Sequence, residues 1–220
     1  MSHETIYLSP FVQPRGVRRR ELTRALRTGR GMRCPRGART RARQGRGQRK
    51  DTVSTRERPA EAEDRAVPGH WEGDLVYGRR PSAVGTLVER TTRYVLLFPL
   101  PAGYRGGPMR EALAAAITRL PEPRRRSLAW DHGKERSEHV RFTVDTGVQV
   151  YCCDPRSPWQ RGTNENTNGL LRQYMPKASD LGAYTQADLD DIAAELKGRP
   201  RETLGWRSPT ERLLELTEAG

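Results

Sequence analysis

Three carboxylates in this chain have the spacing and surroundings to do chemistry. Asp74, in His70-Trp71-Glu72-Gly73-Asp74-Leu75-Val76, and Asp131, in Leu128-Ala129-Trp130-Asp131, each close an apolar, strand-like run. Glu165 follows Gly162-Thr163-Asn164, which reads as a helix start with Thr163 or Asn164 as its cap. Two strand-borne aspartates and a helix-borne glutamate can hold two Mg²⁺ ions, about 3.5–4 Å apart, with Mn²⁺ able to substitute. Three carboxylates with no cysteine suit magnesium better than zinc. Such a pair of ions activates an oxygen nucleophile, steadies a leaving oxygen and neutralises phosphate, which is what an in-line displacement at phosphorus requires. Taken singly, each acid is one of 27, and solvation is the ordinary role of a lone carboxylate. In a strand, residues two apart share a face, so Glu72 and Asp74 point the same way and either could be the ligand on pattern alone.

The words around these acids narrow the choice. The phrase Gly69-His70-Trp71-Glu72-Gly73-Asp74 and the long stretch from Cys153-Asp154-Pro155 through Ser157-Pro158-Trp159-Gln160-Arg161-Gly162-Thr163-Asn164-Glu165 to Tyr174 resemble the DDE transposases of bacterial insertion sequences, specifically the insertion-sequence-thirty family. The likeness runs from Ser2-His3-Glu4-Thr5-Ile6-Tyr7 to Thr203-Leu204-Gly205-Trp206. It implies Asp74, Asp131 and Glu165 as catalytic and metal-binding residues, and it selects Asp74 over Glu72. The 33 residues between Asp131 and Glu165 fall within the range such enzymes use. It also implies metal-dependent strand cleavage and strand transfer on double-stranded DNA, at element terminal repeats and at a target, by a homodimer or larger assembly. In that family a helix-turn-helix region precedes the Ser2–Tyr7 phrase, so residues 1–66 are expected to be a basic remnant and linker after it. Lys197 stands where the family usually has Asn.

The elements that must position the acids follow from periodicity. Strands are expected over about 70–77, twice within 82–100 with a turn near Arg90-Thr91-Thr92-Arg93, over Ser127–Trp130, and over Val148–Cys152. Met109, Leu113, Ala116, Ile117 and Leu120 have helical spacing and stop before Pro121. Further helices are expected from about Ser137, from Gly162, near 185–197 and near 208–217. This order is that of an RNase H-like α/β fold, the integrase catalytic core: a mixed five-stranded sheet flanked by helices, with the folded part starting near Val67. Trp206 reads as core for the last helix.

The chain has 220 residues with a formal charge of +13, which points to a polyanionic partner. That charge is local. Between Arg15 and Lys50 stand 15 Lys or Arg against one acid, Glu21, and the remainder is near neutral. A short helix is possible around Glu21–Arg27, but the Arg/Gly run from Arg36 to Lys50 cannot bury a core and is expected to be disordered alone. Arg41, Arg43 and Arg46 within it are candidate phosphate contacts of a nonspecific kind. Nearer the acids, Trp159 and Arg161 are candidates to meet DNA. Asn168 and Arg172, three and seven residues after Glu165, share its helical face and are further candidates. Cys34, Cys152 and Cys153 make neither a disulfide framework nor a zinc site. With no apolar run of membrane-spanning length and no signal peptide, a cytoplasmic, nucleoid-associated protein is expected. Two competing readings are a catalytically silent fragment that binds DNA or modulates a full-length transposase, and an RNase H-like nuclease acting on RNA–DNA hybrids.

Overall fold

The computed structural model describes residues 53–65, 67–79, 82–130, 136–153 and 162–218. The expected helical turns near Ser2–Tyr7 and Glu21–Arg27, and the Arg/Gly run, lie outside these residues. Everything described below belongs to one compact unit within residues 49–220.

Five strands form one mixed sheet in the order β3-β2-β1-β4-β5. They are β1 (His70–Tyr77), β2 (Ala83–Glu89), β3 (Val95–Pro99), β4 (Ser127–Trp130) and β5 (Gln149–Cys152). The first three make an antiparallel meander, whereas β4 runs parallel to β1 and β5 parallel to β4. Parallel neighbours need a long crossover, and two helices supply it: α2 (Gly106–Thr118) before β4 and α3 (Arg136–Thr146) before β5. A short α1 (Ala60–Asp64) precedes the sheet; α4 (Gly162–Leu171), α5 (Gln186–Gly198) and α6 (Pro209–Glu218) follow it. Among the described residues, no helix is long and apolar enough to cross a membrane.

The period of two along each strand sorts the side chains into two cores. Trp71 and Leu75 of β1, Leu87 of β2, Phe98 of β3 and Leu128 and Trp130 of β4 pack with Leu113 and Ile117 of α2 and Phe142 of α3. On the opposite face Val76, Val84, Val88, Val95 and Leu97 pack with Leu171 of α4 and with Leu189, Ala193 and Leu196 of α5. Glu72 and Asp74 alternate with Trp71 and Leu75, so they belong to the second face, the one that α4 covers.

Gly73 locks β1 to β4. A Cβ there would lie 2.0 Å from Cε3 of Trp130, so only glycine lets that ring lie across β1 between Glu72 and Asp74. Gly85 is under the same constraint from Phe98, at 2.1 Å from Cζ.

Three expectations are corrected. The fold begins before Val67: Ser54 bridges Cys152 beside β5, Ala62 is fully buried, and the carbonyl of Ala62 accepts from Arg90 Nε at 2.9 Å. The stretch 53–65 contributes backbone groups and one alanine rather than an apolar stripe, so periodicity does not mark it. Trp206 is not core. It is 70% exposed and left-handed, with φ +67° after Gly205 at +64°. The turn is closed by Trp206 N–H donating to Arg201 O and Arg201 N–H to Arg207 O, and it directs the indole outward. Neither Thr163 nor Asn164 caps α4, because both lie inside it.

Candidate active site

What holds the start of α4 is Glu72. This carboxylate is 1% exposed, and its Oε2 accepts from the Asn164 backbone N–H at 3.0 Å, in the first turn where helical N–H groups lack partners of their own. Its Oε1 accepts from Arg90 Nη1 at 2.8 Å. Asn164 completes the attachment: Nδ2 donates to Glu72 O at 3.0 Å, and Oδ1 accepts from Thr86 Oγ1 at 3.0 Å. Four residues from β1, β2, the turn after β2 and α4 thus form one buried polar network. The two acids that alternation left equivalent are thereby separated. Glu72 is committed to Arg90 and to the helix, and Asp74 remains at the surface of the sheet.

Asp74 is half-buried. Its Oδ1 accepts from Leu75 N–H at 2.8 Å, and its Oδ2 accepts from Asn168 Nδ2 at 3.0 Å. The second bond brings Asp74 against the helix that carries Glu165, three residues before Asn168. Glu165 is exposed. The Asn168 amide can be oriented only one way, because its NH₂ must meet the carboxylate. That leaves Asn168 Oδ1 buried without a hydrogen-bond partner among the described residues.

Other site candidates divide. Asp131, Trp159 and Arg161 lie outside the described residues, as do Arg41, Arg43 and Arg46. Asn168, a candidate for DNA contact, has its amide on Asp74. Arg172 lies one residue beyond the end of α4, and its Nη1 donates to Tyr77 O at 2.9 Å and Met175 O at 3.3 Å. It latches the end of β1 to the turn after the helix, and burial lowers its pKa. Its spacing from Glu165 suggested a DNA-facing side chain, but the helix stops before reaching it. Lys197 is also structural: its Nζ stands 4.6 Å from the Tyr94 ring centroid, a cation–π contact. Among the described residues no three His, Cys, Asp or Glu side chains gather as a metal site.

Sequence reasoning missed Glu72, Arg90, Asn164 and Thr86 as a group. The one available signal was that Glu72 precedes Asp74 by two and must share its face.

A mixed five-stranded sheet with helices on both faces, and a strand-borne aspartate against a later helix, defines a catalytic core of the integrase type. Residues 64–158 match the integrase core domain family, a span that holds the whole sheet and ends before α4. The chain is 49% identical over 217 residues to the transposase for insertion sequence element IS1086 of Cupriavidus metallidurans, covering 98% of this chain and 63% of that protein. It is 51% identical over 155 residues to transposase InsI for insertion sequence element IS30C of Escherichia coli, covering 70% and 40%. To the transposase for insertion sequence element IS4351 of Bacteroides fragilis it is 31% identical over 217 residues, covering 98% and 64%. The chain therefore spans less than two thirds of the length of each of these relatives. By these relationships it belongs to the insertion-sequence-thirty (IS30) family of transposases.

Proposed function

We propose that this chain contains the catalytic core of an insertion-sequence transposase, a polynucleotidyl transferase that cuts a DNA strand at an element end and joins it to target DNA. The observation that carries this reading is the Asp74–Asn168 hydrogen bond, which sets a β1 carboxylate against the helix bearing Glu165. Asp131 follows directly on Trp130, and Trp130 pairs in register with Gly73, the residue before Asp74. Asp74 on β1 and Glu165 on α4 are thus the described part of this triad, and Asp131 is the next residue in sequence after β4.

Divalent metal fits the donors. Asp74 and Glu165 offer carboxylate oxygens, and the partnerless carbonyl oxygen of Asn168 adds a third oxygen of the kind a hard cation prefers. Asp74, Asp131 and Glu165 would hold Mg²⁺, or Mn²⁺ in its place. When bound, the metal supplies charge neutralisation at the phosphate and activation of the attacking oxygen.

The protein's own part is positioning. Asn168 fixes the rotation of the Asp74 carboxylate, Glu72 and Asn164 hold the first turn of α4 on the sheet, and Gly73 with Trp130 sets β1 against β4. With water attacking, the result is a nick. With the freed 3′-OH attacking, the same arrangement joins strands, since both are in-line displacements at phosphorus. Trp159 and Arg161, just before α4, are assigned to the DNA near the reacting phosphate. Arg41, Arg43 and Arg46, in a basic N-terminal segment, are assigned to sequence-independent backbone contacts. Joining two ends calls for at least a dimer on DNA.

The test is nicking and strand joining on a labelled duplex bearing the element end, with Mn²⁺. Wild type is expected to act, and Glu165→Gln and Asp74→Asn to lose activity by at least 100-fold, roughly the effect of removing a principal catalytic group. Equal activity in wild type and both variants would defeat the assignment. DNA binding without cleavage in any of them would favour the silent-fragment reading.

A further inference from the structure

The first turn of α4 has a second face, turned away from the carboxylates. Asn164 and Asn168 point to β1, where they bond Glu72 and Asp74. Thr163 and Asn166 instead line a cleft of about 260 Å³ whose other walls include Arg65, Arg93, Arg201 and Thr203. The three arginines come from three separate places in the chain: the end of α1, the turn between β2 and β3, and the loop between α5 and α6. Among the described residues, no acid lines the cleft.

Among the described residues, two of its polar groups have no partner. Thr163 is 1% exposed, yet its hydroxyl makes no hydrogen bond, and neither does the buried Nε of Arg201. A buried hydroxyl without a partner costs about 1–3 kcal/mol, so its retention at the wall of a cationic cleft calls for a ligand that accepts hydrogen bonds. The guanidinium groups also crowd one another. Burial lowers the pKa of Arg93, and the neighbouring Arg65, Arg90 and Arg201 press it the same way, with Glu72 opposing. Like charges held together at the start of a helix, where the backbone dipole is positive, are relieved by an anion.

We infer that this cleft is a second phosphate site, in which Arg65, Arg93, Arg201 and the Thr163 hydroxyl hold a phosphate of the DNA backbone that does not react. An α-helix with its side chains is about 10–12 Å across, so a phosphate in the cleft and one at Asp74 and Glu165 lie on opposite flanks of the same turn. The site would clamp the duplex against α4 and fix which phosphate meets the carboxylates. Only the source of the phosphate rests on the DNA-processing reading. The cleft's preference for an oxyanion stands on its own residues.

The experiment separates the two. Duplex binding of the full chain is measured by fluorescence anisotropy across a salt series, in EDTA and in a Glu165→Gln background, so that no outcome depends on catalysis. Thr163→Val is the central variant. Replacing an unpartnered buried hydroxyl by a methyl should leave Tm unchanged or raised, while losing a hydrogen bond to a charged group should weaken duplex binding about tenfold. Arg93→Gln should lower the salt slope by about one. In parallel, inorganic phosphate should raise the Tm of wild type more than that of Arg93→Gln. If phosphate stabilises wild type selectively but neither variant alters duplex binding, the site takes free phosphate and the DNA assignment is overturned. If wild type binds no duplex, the DNA reading fails, and the phosphate arm still decides the cleft. Thr163→Val with lowered Tm and unchanged binding, or phosphate acting equally on wild type and Arg93→Gln, would overturn the site altogether.

Discussion

Glu72→Gln is the sharpest test of how the site is held. The substitution keeps the shape and leaves one oxygen able to accept from Asn164 N–H, but removes the charge opposite Arg90. The two side chains are 1% and 10% exposed, so the guanidinium would lose the charge of the buried carboxylate it bonds. Removing one member of a buried pair costs about 3–5 kcal/mol, far more than the pair's net contribution to stability. With a urea m-value of about 1–3 kcal/mol/M, even the lower figure moves the unfolding midpoint down by about 1 M or more. Arg90→Gln should also destabilise, and the double variant should be milder than the sum of the two by at least about 1 kcal/mol, as expected for contacting groups. Urea unfolding followed by circular dichroism gives all four corners of the cycle. Strand nicking should fall in Glu72→Gln, because a neutral amide oxygen holds the Asn164 N–H, and with it the first turn of α4, more weakly than a carboxylate does. If Glu72→Gln unfolds within about 0.5 kcal/mol of wild type, or the double variant is fully additive, the network described here does not position α4.

Two further perturbations test the frame around the site. Gly73→Ala puts a methyl 2.0 Å from the Trp130 ring, and overpacking of this kind costs about 1–3 kcal/mol; thermal unfolding should show a lowered Tm, and an unchanged Tm would mean that β1 and β4 are not locked by that ring. His70 is buried with its Nδ1 2.7 Å from Ser127 Oγ, and its pKa is lowered chiefly by burial, with nearby Glu61 opposing. Below about pH 6.5 the unfolded chain therefore takes up a proton that the folded chain resists, and stability falls with pH down to the folded-state pKa. Urea midpoints between pH 7.5 and 5 should fall less steeply for His70→Gln than for wild type, and parallel profiles would exclude this histidine as a source of acid sensitivity.

Much of the architecture was legible in the chain. Apolar runs bounded by turns placed β1 and β4 at their observed limits, and the helical spacing of Met109, Leu113, Ala116, Ile117 and Leu120 marked α2. These are local patterns, set by which residues can alternate across a sheet or recur along a helix. The words around Asp74 and Glu165 carried the family. What periodicity could not do was rank two acids on one face, place a polar stretch such as 53–65, or orient Trp206.

Those matters were decided by contacts between parts distant in sequence. Glu72 differs from Asp74 because Arg90 and the Asn164 N–H, 18 and 92 residues away, reach one carboxylate and Asn168, 94 residues away, reaches the other. Arg65, Arg93 and Arg201 were three arginines among many until folding brought them to one cleft. By itself, then, the sequence determined the strands, the helices and the family, because those depend on near neighbours and on local wording. Only the tertiary structure decided which partners each carboxylate takes and where charge gathers, because charge and hydrogen bonding act through space and are indifferent to separation along the chain.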